Sequence, residues 1–205
     1  MVSAGSAEPF VPDTRSLAAL ATAAAGCEGC PLHRDATQTV FGTGPETARV
    51  VLVGEQPGDV EDRRGAPFVG PAGAVLWQCV EEAGLDRAAV YATNAVKHFK
   101  YVTRGARRIH QKPGTGEVNA CHPWLEAEVQ ALRPKVIVAL GATAARSVLG
   151  RPTGVATGRE HVHEAMGASV VVTYHPSAVL RADERAAEIR AALVADLTRA
   201  GELAG

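Results

Sequence analysis

Short runs of β-branched and apolar residues recur along the chain at Arg49 to Val53, Val90 to Val96, Lys135 to Leu140 and Ser169 to Tyr174. Between them lie stretches of helical length with recognisable ends. Asp13 can cap a helix over Thr14 to Ala25 that Gly26 closes, and Pro71 and Gly84 bracket another. A third runs from Glu117 to Leu132 before Pro134, a short one reaches Gly150, and Asp183 opens a terminal helix. Strands alternating with helices in this way pair in parallel and are covered on both faces. The expected architecture is therefore a single three-layer α/β/α domain with a central, mostly parallel sheet. With 205 residues, of which 46% are hydrophobic, the chain has material for one such core and not for two. The domain is expected to occupy residues 13–205, after a flexible N-terminus over 1–12.

In a doubly wound sheet, ligands bind beyond the carboxyl ends of the strands. Three loops start there, at Gly54, at Lys97 and at His175. Met1 to Pro12 has no basic then apolar leader pattern, and no stretch is long enough to span a bilayer, so a cytoplasmic location is expected, with no membrane partner. Four cysteines in such a compartment point to metal ligation rather than to disulfides, and Cys27 and Cys30 form a close pair. With 21 basic and 22 acidic residues, the chain is not a general nucleic-acid coat, although a local basic patch remains open to it.

The loop Gly54-Glu55-Gln56-Pro57-Gly58-Asp59 places a carboxylate at a strand end, but it has the spacing of neither a P-loop nor a dinucleotide fingerprint. Alone it is an ordinary turn. It is followed in order by Pro67-Phe68-Val69-Gly70, Thr93-Asn94-Ala95-Val96-Lys97 and His175-Pro176-Ser177. Together the four segments resemble the iron-sulfur branch of the uracil-DNA glycosylase superfamily, over about Cys27 to Arg181.

That resemblance implies a site for a uracil flipped out of DNA. Phe68 would stack on the base, and the Asn94 amide would read N3 and O4, a pattern cytosine does not present. His175 would stabilise the departing anion, and Glu55 would stabilise the sugar cation and take a proton. Gln56 would also meet substrate, Ser177 a phosphate, and Arg181 would wedge into the base stack. Singly, these residues read as a core Phe, a turn Asn, a structural His and a surface Arg.

The family places a cysteine directly after its Asn-x-x-Lys segment, where this chain has His98. The resemblance thus implies a four-iron four-sulfur cluster on Cys27, Cys30, His98 and Cys121, with Cys79 as the rival to His98. Spacing alone also permits zinc. Between Lys97 and Pro113 stand six basic side chains and no acidic one, and Lys97, Lys100, Arg107 and Arg108 are expected on DNA phosphates. Within this stretch Arg107-Arg108-Ile109-His110 resembles the signature of the UdgX subgroup, whose histidine becomes bonded to the sugar. His110 is thereby expected to attack C1′ and fix the protein to the DNA. Its alternative is a phosphate contact in a conventional, multi-turnover glycosylase. A non-catalytic iron-sulfur module is the reading from another class. The expected partner is uracil-containing DNA, in single-stranded form, met by a monomer.

Overall fold

A computed structural model describes residues 5–205. Its strands are β1 (Val50–Gly54), β2 (Val90–Asn94), β3 (Tyr101–Arg104), β4 (Arg107–His110), β5 (Val136–Leu140), β6 (His163–Ala165) and β7 (Ala168–Thr173). Its helices are α1 (Leu17–Ala24), α2 (Asp59–Arg64), α3 (Pro71–Glu82), α4 (Thr115–Leu132), α5 (Ala142–Leu149), α6 (Val155–Gly158), α7 (Pro176–Arg181) and α8 (Ala186–Ala204).

Five strands form the main sheet in the order β2-β1-β5-β7-β6, and β1 pairs in parallel with β2 and β5, as does β5 with β7. Side chains alternate across it, so Val51 and Val53 pack with α1, α4 and α5 while Val50 and Leu52 pack with α3 and α8. The three-layer α/β/α arrangement follows from that alternation. Because both faces are covered, the β1, β2 and β5 strands are buried at every position, and β1 and β5 read as continuous apolar runs.

The sequence reading missed β6, which pairs antiparallel with β7 through a turn in which Met166 and Gly167 have positive φ. The first helix starts later than expected, with Ser16 rather than Asp13 as its cap, accepting from the Ala19 N–H at 3.2 Å. Nor is residue stretch 5–12 a free tail. Ala7 is buried and donates its N–H to the Ala120 carbonyl at 2.8 Å, while residues 1–4 of the expected flexible segment lie outside the described residues. The expected basic loop after Lys97 is instead an antiparallel hairpin, β3–β4, with Tyr101 opposite His110.

Candidate active site

Parallel register brings the functional loops to one edge. Gly54 stands beside Asn94 and Leu140 beside Thr173, so Glu55, Gly141 and His175 all emerge there. They line a pocket of about 740 Å³ that also receives Phe68, Asn94, His110 and Arg181. No helix among the described residues is long and apolar enough to cross a membrane.

Phe68 adopts a left-handed conformation, φ +54°, which an aromatic residue rarely takes and which here turns its ring into the pocket. Two contacts impose it. The Trp77 indole N–H donates to the Phe68 carbonyl at 3.0 Å, and a Cβ at Gly73 would lie 2.0 Å from that carbonyl oxygen, so only glycine lets the loop pass. Glu61, which sequence reasoning missed, accepts the Gly70 N–H at 2.8 Å and pins the end of the same loop. Gly54 is equally constrained, since a Cβ there would meet Asn94 Oδ1 at 2.3 Å and Phe68 Cζ at 2.7 Å. The aromatic face and the amide are thus neighbours over a bare backbone, the arrangement a flat heterocycle needs to be stacked and read.

His175 caps α7. The Ser177 N–H donates to His175 Nδ1 at 3.2 Å, and the Ser177 hydroxyl lies 2.7 Å from the same nitrogen. A backbone N–H can only donate, so the proton of the neutral ring resides on Nε2. Burial, with Arg181 and His110 nearby, pushes the His175 pKa down to about 4, and the ring is a neutral Nε2–H donor. Ser177, expected on a phosphate, serves first to set that tautomer.

Glu55 receives the Thr143 hydroxyl at 2.5 Å on one oxygen, and its other oxygen is 3.6 Å from His110 Nε2. Thr143 was also missed, although it stands just beyond Gly141, a strand-end loop like the other three. Burial lowers the His110 pKa below the ordinary histidine value; Glu55 pulls the other way and Arg181 adds to the lowering. A neutral imidazole therefore faces a carboxylate at neutral pH, with the ring half exposed towards the pocket mouth.

Three expected DNA contacts are placed elsewhere. Lys97 is buried, with its ammonium donating to Thr93 Oγ1 at 2.6 Å, to the Asn94 carbonyl at 2.8 Å and to Glu128. Glu128 also accepts from Tyr91, Thr93 and the Gly42 N–H, so the charge pair is fully hydrogen-bonded inside the protein and braces Asn94 from beneath. Arg108 binds Asp59 and, at 2.6 Å, the buried Asp62, and it lies over the rings of Phe99 and Tyr101. It ties the hairpin to α2 instead of reaching for phosphate. Gln56 is likewise committed: its amide N–H groups donate to the carbonyls of Lys100 and Gln111 at 3.2 and 3.1 Å, and its oxygen accepts the Lys100 N–H at 3.2 Å. It staples the root of the hairpin that carries His110. Lys100 is paired with Glu117 at 2.8 Å, whereas Arg107 is exposed on β4.

Residues 41–198 match the family described as the uracil DNA glycosylase superfamily. The chain belongs to that superfamily. It is 38% identical over 176 residues to a type-4 uracil-DNA glycosylase of Thermotoga maritima, covering 85% of this chain and 87% of that protein. A type-4 uracil-DNA glycosylase of Archaeoglobus fulgidus is 35% identical over 187 residues, 87% of this chain and 88% of the relative. A type-5 uracil-DNA glycosylase of Pyrobaculum aerophilum is 31% identical over 169 residues, 72% and 71% respectively.

On the other face of the sheet from α3, this superfamily member gathers three thiols. Cys27, Cys30 and Cys121 share one buried cluster, whereas Cys79 belongs to the opposite layer and cannot join them. The Trp124 indole N–H donates to Cys27 Sγ and the Lys97 N–H to Cys121 Sγ, each at 3.2 Å. Burial raises the Cys30 pKa and pushes that of Cys121 up to about 12, so these two thiols keep their protons unless a cation lies beside them. Among the described residues, no three His, Cys, Asp or Glu side chains are arranged to hold a single metal ion. His98 is buried and its Nε2 lies 2.9 Å from Thr39 Oγ1. The Thr39 hydroxyl gives its one proton to the Ala24 carbonyl at 2.9 Å, so it accepts from His98 Nε2–H and leaves Nδ1 with a free lone pair. That is the tautomer of a ligating histidine with a supporting hydrogen bond. Cys27, whose N–H donates to the same Ala24 carbonyl at 3.0 Å, is close by.

Proposed function

We propose that this protein excises uracil from DNA and that His110 captures the resulting sugar, as in the UdgX subgroup. The observation that carries the reading is the position of His110, 3.6 Å from the Glu55 carboxylate inside the pocket that Phe68, Asn94 and His175 also line. Family membership and the type-4 relatives support the glycosylase part.

A uracil flipped from the strand stacks on Phe68 and is read by the Asn94 amide. As the bond from N1 to C1′ breaks, the electron pair leaves with the base, and the His175 Nε2–H stabilises the charge growing on O2. Glu55, oriented by Thr143, faces the positive sugar. An imidazole nitrogen of His110 then donates its pair to C1′, and the ring loses its N–H proton to Glu55. That proton balances the uracil anion, leaving neutral uracil and a protein-DNA adduct. Arg181 and Arg107 serve the DNA strand, the first at the pocket and the second on the hairpin.

Cys27, Cys30, His98 and Cys121 hold a four-iron four-sulfur cluster in this reading, supported by the three gathered thiols and the His98 tautomer. Its chemistry is structural, cross-linking α4, the segment after α1 and the start of the hairpin region; no step of base excision runs through it.

The conventional alternative has water in place of His110, and the type-4 relatives are the observation in its favour. Counting uracil released per protein separates the two. Capture predicts release that stops at one equivalent, and Glu55→Gln should suppress it by at least tenfold. Repeated turnover by the unaltered protein would refute capture, and no release at all would refute the glycosylase.

A further inference from the structure

Beside the base pocket lies a second cleft of about 330 Å³, sharing Lys112, Ala142 and Thr143 with it. The two differ in charge. The base pocket carries two carboxylates, Glu55 and Glu61, beside its two cations Lys112 and Arg181, whereas the cleft is lined by Lys112 and Arg146 and, among the described residues, by no carboxylate. Neither cation forms an ion pair among the described residues, unlike Lys97, Lys100 and Arg108, each of which is held by Glu or Asp. Two unpaired positive side chains facing one concavity repel each other, and that arrangement is relieved by a bound anion. Thr115, the first residue of α4, also lines it.

We propose that this cleft binds a backbone phosphate of the same DNA strand, on one side of the flipped nucleotide, through Lys112 and Arg146. The inference rests on the glycosylase reading and supplies what that reading lost when Lys97 and Arg108 proved to be internal. Lys112 and Arg181 share the base pocket with Glu55 and Glu61, whereas the cations of the cleft face no carboxylate among the described residues, so phosphate is favoured in the cleft and the strand is guided past the pocket with only the base entering. Because the two cavities share a wall, the contact is local to the target nucleotide and independent of sequence.

The test uses the full-length protein and a single-stranded oligonucleotide carrying one 2′-fluoro-2′-deoxyuridine, which resists excision, so that binding is read over a range of salt. Arg146→Gln and Lys112→Gln should each bind more weakly and should each flatten the plot of log K against log salt by about 0.7, the value for one lost phosphate contact on a single strand. Lys135→Gln, at the opposite edge of the sheet, should leave the slope unchanged. Shortening the oligonucleotide on one side of the target should weaken wild-type binding and erase the difference between wild type and Arg146→Gln. Equal slopes for wild type and both variants, in a protein that does excise uracil, would overturn the cleft alone. A slope change that survives shortening on either side would assign the cleft to free anions and overturn the strand contact. A wild-type protein that releases no uracil would overturn the activity, and this inference with it.

Discussion

Replacing Arg108 by alanine separates two roles that one arginine can play. In the structure its guanidinium binds Asp62, whose side chain is 0% exposed, while 13% of the arginine side chain is accessible. Asp59, at 39%, is too exposed to contribute much. Truncation leaves a buried carboxylate with only the Thr37 N–H, at 3.0 and 3.2 Å from its two oxygens, as partner. Removing one member of a buried pair costs about 3–5 kcal/mol, and the surviving hydrogen bonds place this case near 3 kcal/mol. Urea unfolding of Arg108→Ala should show a midpoint lowered accordingly at unchanged slope. Adding Asp62→Asn should restore part of the loss, because the stranded charge disappears. Salt dependence of DNA binding should stay as in the wild type. Stability within about 0.5 kcal/mol of wild type, together with a salt slope reduced by about 0.7, would refute the anchoring argument and return Arg108 to the phosphates.

Gln56→Ala removes three hydrogen bonds at the hairpin root, about 2–3 kcal/mol at the usual net value, and should speed hydrogen exchange of the Lys100 amide by roughly 30–160-fold; unchanged exchange would contradict the staple. His175 binds its proton more weakly in the folded protein, at about 4, than the ordinary 6.5. The folded state then takes up fewer protons, so stability is intact above about pH 6.5 and falls progressively as pH drops towards 4. Each tenfold change in proton affinity is about 1.36 kcal/mol, giving a loss of about 3 kcal/mol that His175→Gln should largely abolish in pH-dependent unfolding. Cys79→Ser should keep the visible absorption of an iron-sulfur protein and Cys121→Ser should lose it; the reverse pattern would move the cluster to the other side of the sheet.

Much of the fold was legible because a doubly covered parallel sheet leaves a strong local mark. Apolar runs such as Val136 to Leu140 have no polar position to blur them, and Pro71 stands at the first turn of its helix. β6 carries no such mark: three residues, none buried, paired only through a tight turn. Glu55, Asn94 and His175 stand at or just after strand ends and were legible as candidates for that reason, whereas Phe68, in the loop between α2 and α3, was nominated only through the resemblance carried by Pro67 to Gly70. Lys97, Arg108 and Gln56 were misplaced for one shared reason. Composition shows that a residue is charged or polar, but its partner lies far along the chain, at Glu128, Asp62 and Gln111, and only the tertiary fold brings the two together. Thr143 and Glu61 were overlooked because they act on Glu55 and on the Phe68 loop rather than on substrate.

Covalent capture by His110 is the central claim, and one gel tests it. The protein is mixed with a labelled uracil-containing oligonucleotide, boiled in detergent and resolved beside a thymine control. A slow-migrating band that survives boiling, is absent with thymine and disappears in His110→Ser is the predicted result. Free uracil without such a band, or a band that His110→Ser leaves at full strength, would contradict it.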